Sequence, residues 1–495
     1  MNFNYHGTDL RAPFSLLREL LPELDILAGT NWQDSSLTRA VFHRPGRDDE
    51  SLSERQSPDD QLRYYTKERV LRGLRLVAFD YGAKIEKDIV LKLTSFPTDP
   101  DGRFIEWLGS EGPLKVEVSL QPKGGNLTRD RHSEKFHNVV AGIKDGTLKP
   151  NELSTYLGLL LSYGDSWTAK LVADAYLSSV DEADVALMDT LGIPYALQGD
   201  TGMAKLLWDR WLTASPIDEA RARYSLSMLQ ARHNPRALLD PAGAEENLEL
   251  AWQRLQGEPS SPQIEYESVF NRNGMALLLF RKKNFAEARV VLEAGIADLQ
   301  ASDYAEQLHH TVLTSNLARV VKEMGDFKEA ERLFREAIAM DPKFAEYHQD
   351  LASFLSDMGR FEEAAGEAER TVALDPSMPE AHRLFGFILM RMGDPRRARD
   401  EYAKAANLGD DAAVLDMLRA SYEAGTPEWT VQCTSRTAQA ELDVKSRAEV
   451  ELLLTQARAA LDPSMDVQAA LNDLHARFPD DELIDEAVRL NADAG

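Results

Sequence analysis

Apolar residues fall at helical spacing over most of this chain, and from residue 262 to 411 the pattern repeats itself at a fixed interval. Gly325, Gly359 and Gly393 recur every 34 residues, each followed five residues later by an alanine, Ala330, Ala364 and Ala398. Aligned on those glycines, the preceding segments carry Leu317-Ala318, Leu351-Ala352 and Phe385-Gly386, a large apolar residue and then a small one. The following segments carry Phe334, Ala368 and Tyr402, then Ala337, Thr371 and Ala405. Such spacing lays one stripe along one face of a helix. Pro342 and Pro376, each preceded by aspartate, end two of the units, because proline cannot continue a helix. The glycines suit a tight turn between paired helices, where left-handed backbone is cheap for glycine. The repeating unit is therefore a helix–turn–helix, too small to bury its apolar face without its neighbours.

A fourth unit lies upstream, with Met275-Ala276, Phe285, Ala288 and Leu292 at the same offsets and Lys283 in place of the glycine. Its start precedes the next unit by 42 residues rather than 34, so the segment from Ala301 to Gln307 is read as an extension or loop. Further upstream, Gly164, Ala169, Ala173 and Tyr176 form a degenerate unit, and Leu191-Gly192, Gly199, Ala204, Trp208 and Trp211 form another. A further hairpin over 219–256 is interrupted by His233-Asn234-Pro235 and Leu239-Asp240-Pro241.

The order of large-small pair, turn glycine, alanine, aromatic, alanine and terminal proline resembles the tetratricopeptide repeat, closely over 269–411 and more loosely over 150–256. Asp410 stands where the third unit's proline belongs, and Pro395 where the earlier units have Phe327 and Phe361. The resemblance implies a mainly α fold, a right-handed α-solenoid of helical hairpins, here with a small N-terminal α+β domain. The expected organisation is an unrecognised front domain at 1–147, degenerate hairpins at 148–261, four repeats at 262–411 and a helical cap at 412–495. In the cap, helices are expected over 414–422, 446–460, 467–478 and 481–490, and a polar end unit covers the exposed end of a stack.

Before residue 148 the 34-residue interval disappears. Residues 14–27 read as a leucine-rich helix kinked or restarted at Pro22, and a second helix is expected to begin at Ser57-Pro58, where serine caps and proline suits the first turn. The polar run from His43 to Gln56 reads as an exposed loop. Strands are predicted at 89–93, 103–108 and 114–120, the last alternating so that one face is wet. The turn-forming connections 97–102 and 109–113 predict an antiparallel meander.

Composition narrows the partners. With 495 residues and 43% hydrophobic content the chain can bury a large core, while a formal charge of −26 argues against a broad nucleic-acid-binding face. Cys433 is the only cysteine, which excludes an intrachain disulfide and a cysteine-built zinc site and points to a reducing, cytoplasmic setting. No leader and no run of about eighteen apolar residues is found, so no membrane association is expected.

Candidate chemistry in the front domain is confined to His132, Glu134 and His137. On a helix His132 and His137 share a face only loosely, unlike the four-residue spacing that lets two imidazoles hold one zinc ion, so neither metal nor cofactor is expected. Gly124-Gly125-Asn126 lacks the lysine-serine or lysine-threonine pair of a phosphate loop. His348 and His382 occupy first-helix positions that read as packing.

In the repeat family the first helices line a concave face. The residues this points inward are Asn273 and Arg281, then Asn316, Arg319 and Lys322, then Gln349 and Asp350, then Arg383 and Arg391. Amides can bridge a peptide backbone and guanidinium groups can hold carboxylates through paired hydrogen bonds. Asn316 resembles the backbone-clamping asparagine of some members, whereas Phe270 and Ser315 interrupt the full carboxylate clamp. The expectation is an intracellular scaffold or adaptor that binds a protein or peptide in this groove, with self-association left open. The competing reading is an enzyme or accessory subunit whose front domain carries chemistry through His132, Glu134 and His137 and whose repeats recruit a substrate.

Overall fold

The computed structural model describes residues 2–5, 12–44, 51, 66–93, 97, 99–110, 114–120, 131–213, 215–301, 307–433 and 440–494. Its contacts fall into two compact units, Met1–Tyr347 and His348–Gly495. Both are built mainly of α-helices. The expected start at Ser57-Pro58 and the Gly124-Gly125-Asn126 turn lie outside the described residues, as does most of the expected loops at 43–56 and 301–307.

The front of the first unit differs from the expected meander. Strands Asn2–Tyr5, Ile89–Leu93 and Val116–Leu120, here β1, β2 and β3, form a sheet in that order, and both pairs are parallel. Asn2 stands opposite Val90, and Ile89 opposite Val116. Parallel neighbours need a crossover rather than a tight turn, and the segment expected as the middle strand supplies it as the helix Asp101–Leu108. Phe104, Ile105 and Leu108 share one helical face and are buried, a pattern that six residues cannot separate from an apolar strand. Strand β2 turns Ile89, Leu91 and Leu93 fully inward, whereas Val118 and Leu120 of β3 are exposed, contrary to the expected dry face.

The helix Ser15–Ala28 runs through Pro22 without restarting, and Leu16, Leu17, Leu20, Leu21 and Leu24 fill the core beside Tyr81 and Phe104. His43, expected in an exposed loop, has a buried side chain, and Ser51 is buried as well.

Helical hairpins follow. They pair Pro150–Ser162 with Ser166–Leu177, Met188–Leu197 with Thr201–Trp211, Pro216–Met228 with Pro241–Gln256, Pro262–Arg281 with Phe285–Ala301, and Gln307–Glu323 with Phe327–Met340. Gly164, Gly199 and Gly325 take φ of 84°, 83° and 84° at their turns, and Lys283 takes 60° at the matching place. The lysine therefore adopts the glycine conformation against its own preference. In the degenerate unit, a Cβ on Gly192 would stand 2.5 Å from the Trp208 indole nitrogen. The small residue is what allows these two helices to touch.

In the second unit the helix Pro379–Arg391 pairs with Pro395–Asn407. Pro395 sits in the first turn of its helix, behind an Asp394 side chain that caps Arg397, so the departure from phenylalanine leaves the turn intact. Helices Ala412–Glu423, Pro427–Gln432, Val444–Leu461, Val467–Arg477 and Glu482–Ala494 follow.

Candidate functional site

In the first unit, consecutive first helices lie side by side. The Asn316 side-chain amide donates to the Asn273 side-chain oxygen at 2.7 Å, linking Gln307–Glu323 to Pro262–Arg281. The Tyr347 hydroxyl bonds Thr311 Oγ1 at 3.2 Å. Arg281 donates to the Ala231 carbonyl, so its guanidinium joins one hairpin to the preceding one rather than standing open. Arg319 is exposed and Lys322 is half-buried on the same helix as Asn316.

Beneath these residues is a buried layer that sequence reading missed. Glu267, 5% exposed, meets Arg221 Nε at 2.5 Å across 46 residues of sequence. Burial raises the Glu267 carboxyl above its usual range although Arg221 opposes the shift. Tyr266 and Phe270 meet the buried His309 ring edge-on at 4.6 and 5.0 Å. A charged residue on the inward face of a first helix was the available signal, but its partner on another hairpin had none.

In the second unit Gln349 and Asp350 are half-buried. Arg383 pairs with Asp410 at 3.1 Å, so the aspartate that replaces the repeat's proline holds one of the expected groove arginines. The Arg391 guanidinium lies over the Phe361 ring at 4.7 Å and near Phe387 at 6.0 Å, which favours the cation through the ring face.

The front-domain candidates His132, Glu134 and His137 do not converge. His137 Nδ1 turns back to the Ser133 carbonyl of its own helix at 2.5 Å, and Glu134 is exposed. His132 instead meets His43, with the two Nδ1 atoms 3.1 Å apart. His43 Nε2 lies 2.7 Å from Asp165 Oδ2, and its ring stacks on Tyr163 at 5.5 Å. Asp165 is fully buried, and its other oxygen caps the helix Ser166–Leu177 through the Thr168 amide at 2.9 Å. The carboxylate therefore fixes the His43 tautomer: Nε2–H donates to Asp165, and the free Nδ1 accepts from His132 when both rings are neutral. Separations of 89 and 122 residues leave no local trace of this chain of contacts. Among the described residues no group of three or more His, Cys, Asp or Glu side chains is placed to hold a metal ion, and no helix is long and apolar enough to cross a membrane.

Residues 322–384 match the family model of the tetratricopeptide repeat. Among solved structures, the chain is similar to pilF of Pseudomonas aeruginosa, at 19% identity over 46% of this chain and 99% of that one, with a TM-score of 0.35. It is also similar to the C-terminal part of a repeat-containing protein from Cytophaga hutchinsonii, at 13% identity over 55% and 98% of the two chains and a TM-score of 0.42. A tetratricopeptide repeat protein from Parabacteroides merdae gives 11% identity over 56% and 98%, with a TM-score of 0.34. No curated protein matches the sequence.

Proposed function

We propose, for a chain that belongs to the tetratricopeptide repeat family, that it is a scaffold or adaptor holding a peptide or partner protein against the first-helix faces of its repeats. The repeat is a protein-interaction fold, and stacked hairpins present extended surfaces suited to another chain. The observation that carries the reading is the Asn273–Asn316 bridge. It locks neighbouring first helices together and leaves polar side chains, Arg319 among them, along one side. Arg319 and Lys322 in the first unit, and Gln349, Arg383 and Arg391 in the second, supply the polar contacts in this reading. Residues 1–147 act as a separate front domain with a second contact, 148–261 and 262–411 as the degenerate and regular hairpins, and 412–495 as the cap.

The test is affinity capture with the full-length chain beside R319E, R383E and the double variant, followed by mass spectrometry and direct titration of the recovered partner. A partner whose affinity falls in each single variant, and further in the double, supports the first-helix face. Unchanged affinity in the folded double variant discards it.

A further inference from the structure

Strand β3 lies at one side of the front sheet, and among the described residues only β2 pairs with it. The Ile89 amide donates to the Lys115 carbonyl at 2.9 Å, which sets the alternation along this parallel ladder. Lys115, Glu117 and Ser119 direct their backbone groups to β2. Val116, Val118 and Leu120 therefore turn their N–H and C=O groups to the open side.

The side chains of the same three residues belong to an unfinished apolar face. Register sets Val118 beside Leu91 and Leu120 beside Leu93. Leu91 and Leu93 are fully buried, yet Val118 is 41% and Leu120 50% exposed. Only Val116 of the three packs against the core, so the cover of the sheet ends between β2 and the edge. Edge strands are commonly protected by proline, a bulge or an inward-pointing charge. Val116–Leu120 has no proline, pairs with β2 without a break in register, and carries its one charge, Glu117, on the face away from the core.

This strand is also complementary to itself. When two copies lie antiparallel about a two-fold axis at Val118, Val116 stands opposite the partner's Leu120 and Val118 opposite the partner's Val118. These are the residues whose backbone groups face outward, so each pair exchanges two hydrogen bonds. In the same register Glu117 faces the partner's Ser119, whereas an axis at Glu117 would set two carboxylates face to face. Lys92 of β2 is the neighbour of Ser119, so Lys92, Ser119 and the partner's Glu117 form one row, with opposite charges on either side of a small residue.

We infer that a second copy of this chain docks on β3, joining the two front sheets through antiparallel edge pairing about Val118. Two five-residue strands with their exposed apolar side chains make a small interface, so the association is reversible, with a Kd on the order of 10 µM. The surface is distinct from the first-helix face.

The experiment is sedimentation equilibrium of the full-length protein, from about 1 to 200 µM, in about 0.15 M salt, where a Debye length of about 8 Å screens the repulsion between two chains of formal charge −26 and spares contact pairs. Wild type is expected to pass from monomer to dimer over that range. Val118→Pro removes an N–H that β2 does not use, so the edge strand keeps its ladder and the dimer is lost. Val118→Lys keeps the N–H, sets two ammonium groups at the axis and weakens dimerisation about tenfold. Glu117→Lys weakens it about threefold, and the swap K92E/E117K restores it. R319E/R383E leaves dimerisation unchanged, which separates this surface from the first-helix face. A wild type that stays monomeric at the highest concentration overturns the inference and leaves the edge to a different chain. Undiminished dimerisation in folded Val118→Pro or Val118→Lys, no recovery in the charge swap, or loss of the dimer in R319E/R383E overturns it as well.

Discussion

His382 Nδ1 stands 2.6 Å from Glu401 Oε2 across one helical hairpin, and one repeat earlier His348 Nδ1 meets Glu367 at 2.7 Å. Both histidines are buried. The shared 34-residue offset makes the pair part of the repeat in this chain, tying first helix to second in both hairpins. Burial pushes the Glu401 carboxyl upward, but hydrogen bonds from His382 and Lys404 outweigh it and hold the group below its ordinary range. Glu401→Gln should lower stability at pH 7 by about 1 to 3 kcal/mol. A carboxylate with a depressed native pKa stabilises above its unfolded value and loses that contribution as pH falls through the native one. The difference between wild type and variant in urea unfolding should therefore narrow below about pH 4.

His233 makes the opposite use of its surroundings. Burial, with Arg232 and Arg281 nearby, pushes its pKa down to about 3. The native imidazole stays neutral while the unfolded one takes up a proton near its ordinary value of about 6.5. Between those values the unfolded state binds more protons, so stability rises with pH and declines as the solution is acidified, by up to about 1.4 kcal/mol per unit. His233→Gln should flatten that part of the stability curve. A slope unaltered by the substitution would remove His233 as its source.

The repeats were legible because the same physical demand recurs. A Cβ on Gly386 would stand 2.8 Å from the Tyr402 ring, and Gly192 has the same relation to Trp208, 16 residues on in both cases. Where glycine is missing, as at Lys283, spacing of the flanking apolar residues still marks the turn. The front of the chain offers no such repetition. Ile89 and Val116 pair across an intervening helix, and His43, His132 and Asp165 come from three distant segments. The partners of the expected groove arginines left no local trace either, since Arg383 meets Asp410 and Arg281 meets a backbone carbonyl.

Gly386→Ala should accordingly destabilise the second unit by about 1 to 3 kcal/mol through overpacking against Tyr402. In a Tyr402→Leu background the same substitution should be better tolerated, because the ring edge is gone. A double-mutant cycle by chemical denaturation measures the coupling; additive effects would locate the strain elsewhere.

Asp25 organises the end of the first long helix. It accepts hydrogen bonds from the Trp32 and Gln33 amides at 2.8 and 2.9 Å, and from the Thr30 and Tyr81 hydroxyls at 2.7 and 2.8 Å. Burial opposes ionisation, but these four donors together hold its pKa below the ordinary range. Asp25→Ala leaves the buried Tyr81 hydroxyl and three partly buried donors unpaired and should destabilise the front of the first unit by about 3 kcal/mol. Hydrogen exchange is expected to show lost protection at the Trp32 and Gln33 amides first. Tyr81→Phe, which removes one donor and keeps the ring, should have a smaller effect.

The contact between His43 and Asp165 yields the last prediction. Asp165 has two separate duties, capping a helix through one oxygen and fixing the His43 ring through the other. His43 holds its place with a left-handed φ of 48°, a conformation uncommon outside glycine and asparagine. Three segments, around residues 43, 132 and 165, therefore depend on one carboxylate. Asp165→Ala should remove both duties and lower stability by about 2 to 4 kcal/mol. His43→Asn suits the backbone angle and spares the cap, so its effect should be smaller. Nitrogen-15 spectra of the imidazoles separate the roles: His43 should be protonated at Nε2 in the wild type near pH 7, and Asp165→Ala should shift the tautomer balance of His43 and His132 together. If the His132 signals stay unchanged while the helix cap is lost, the two rings do not form one hydrogen-bonded chain, and Asp165 acts through the cap alone.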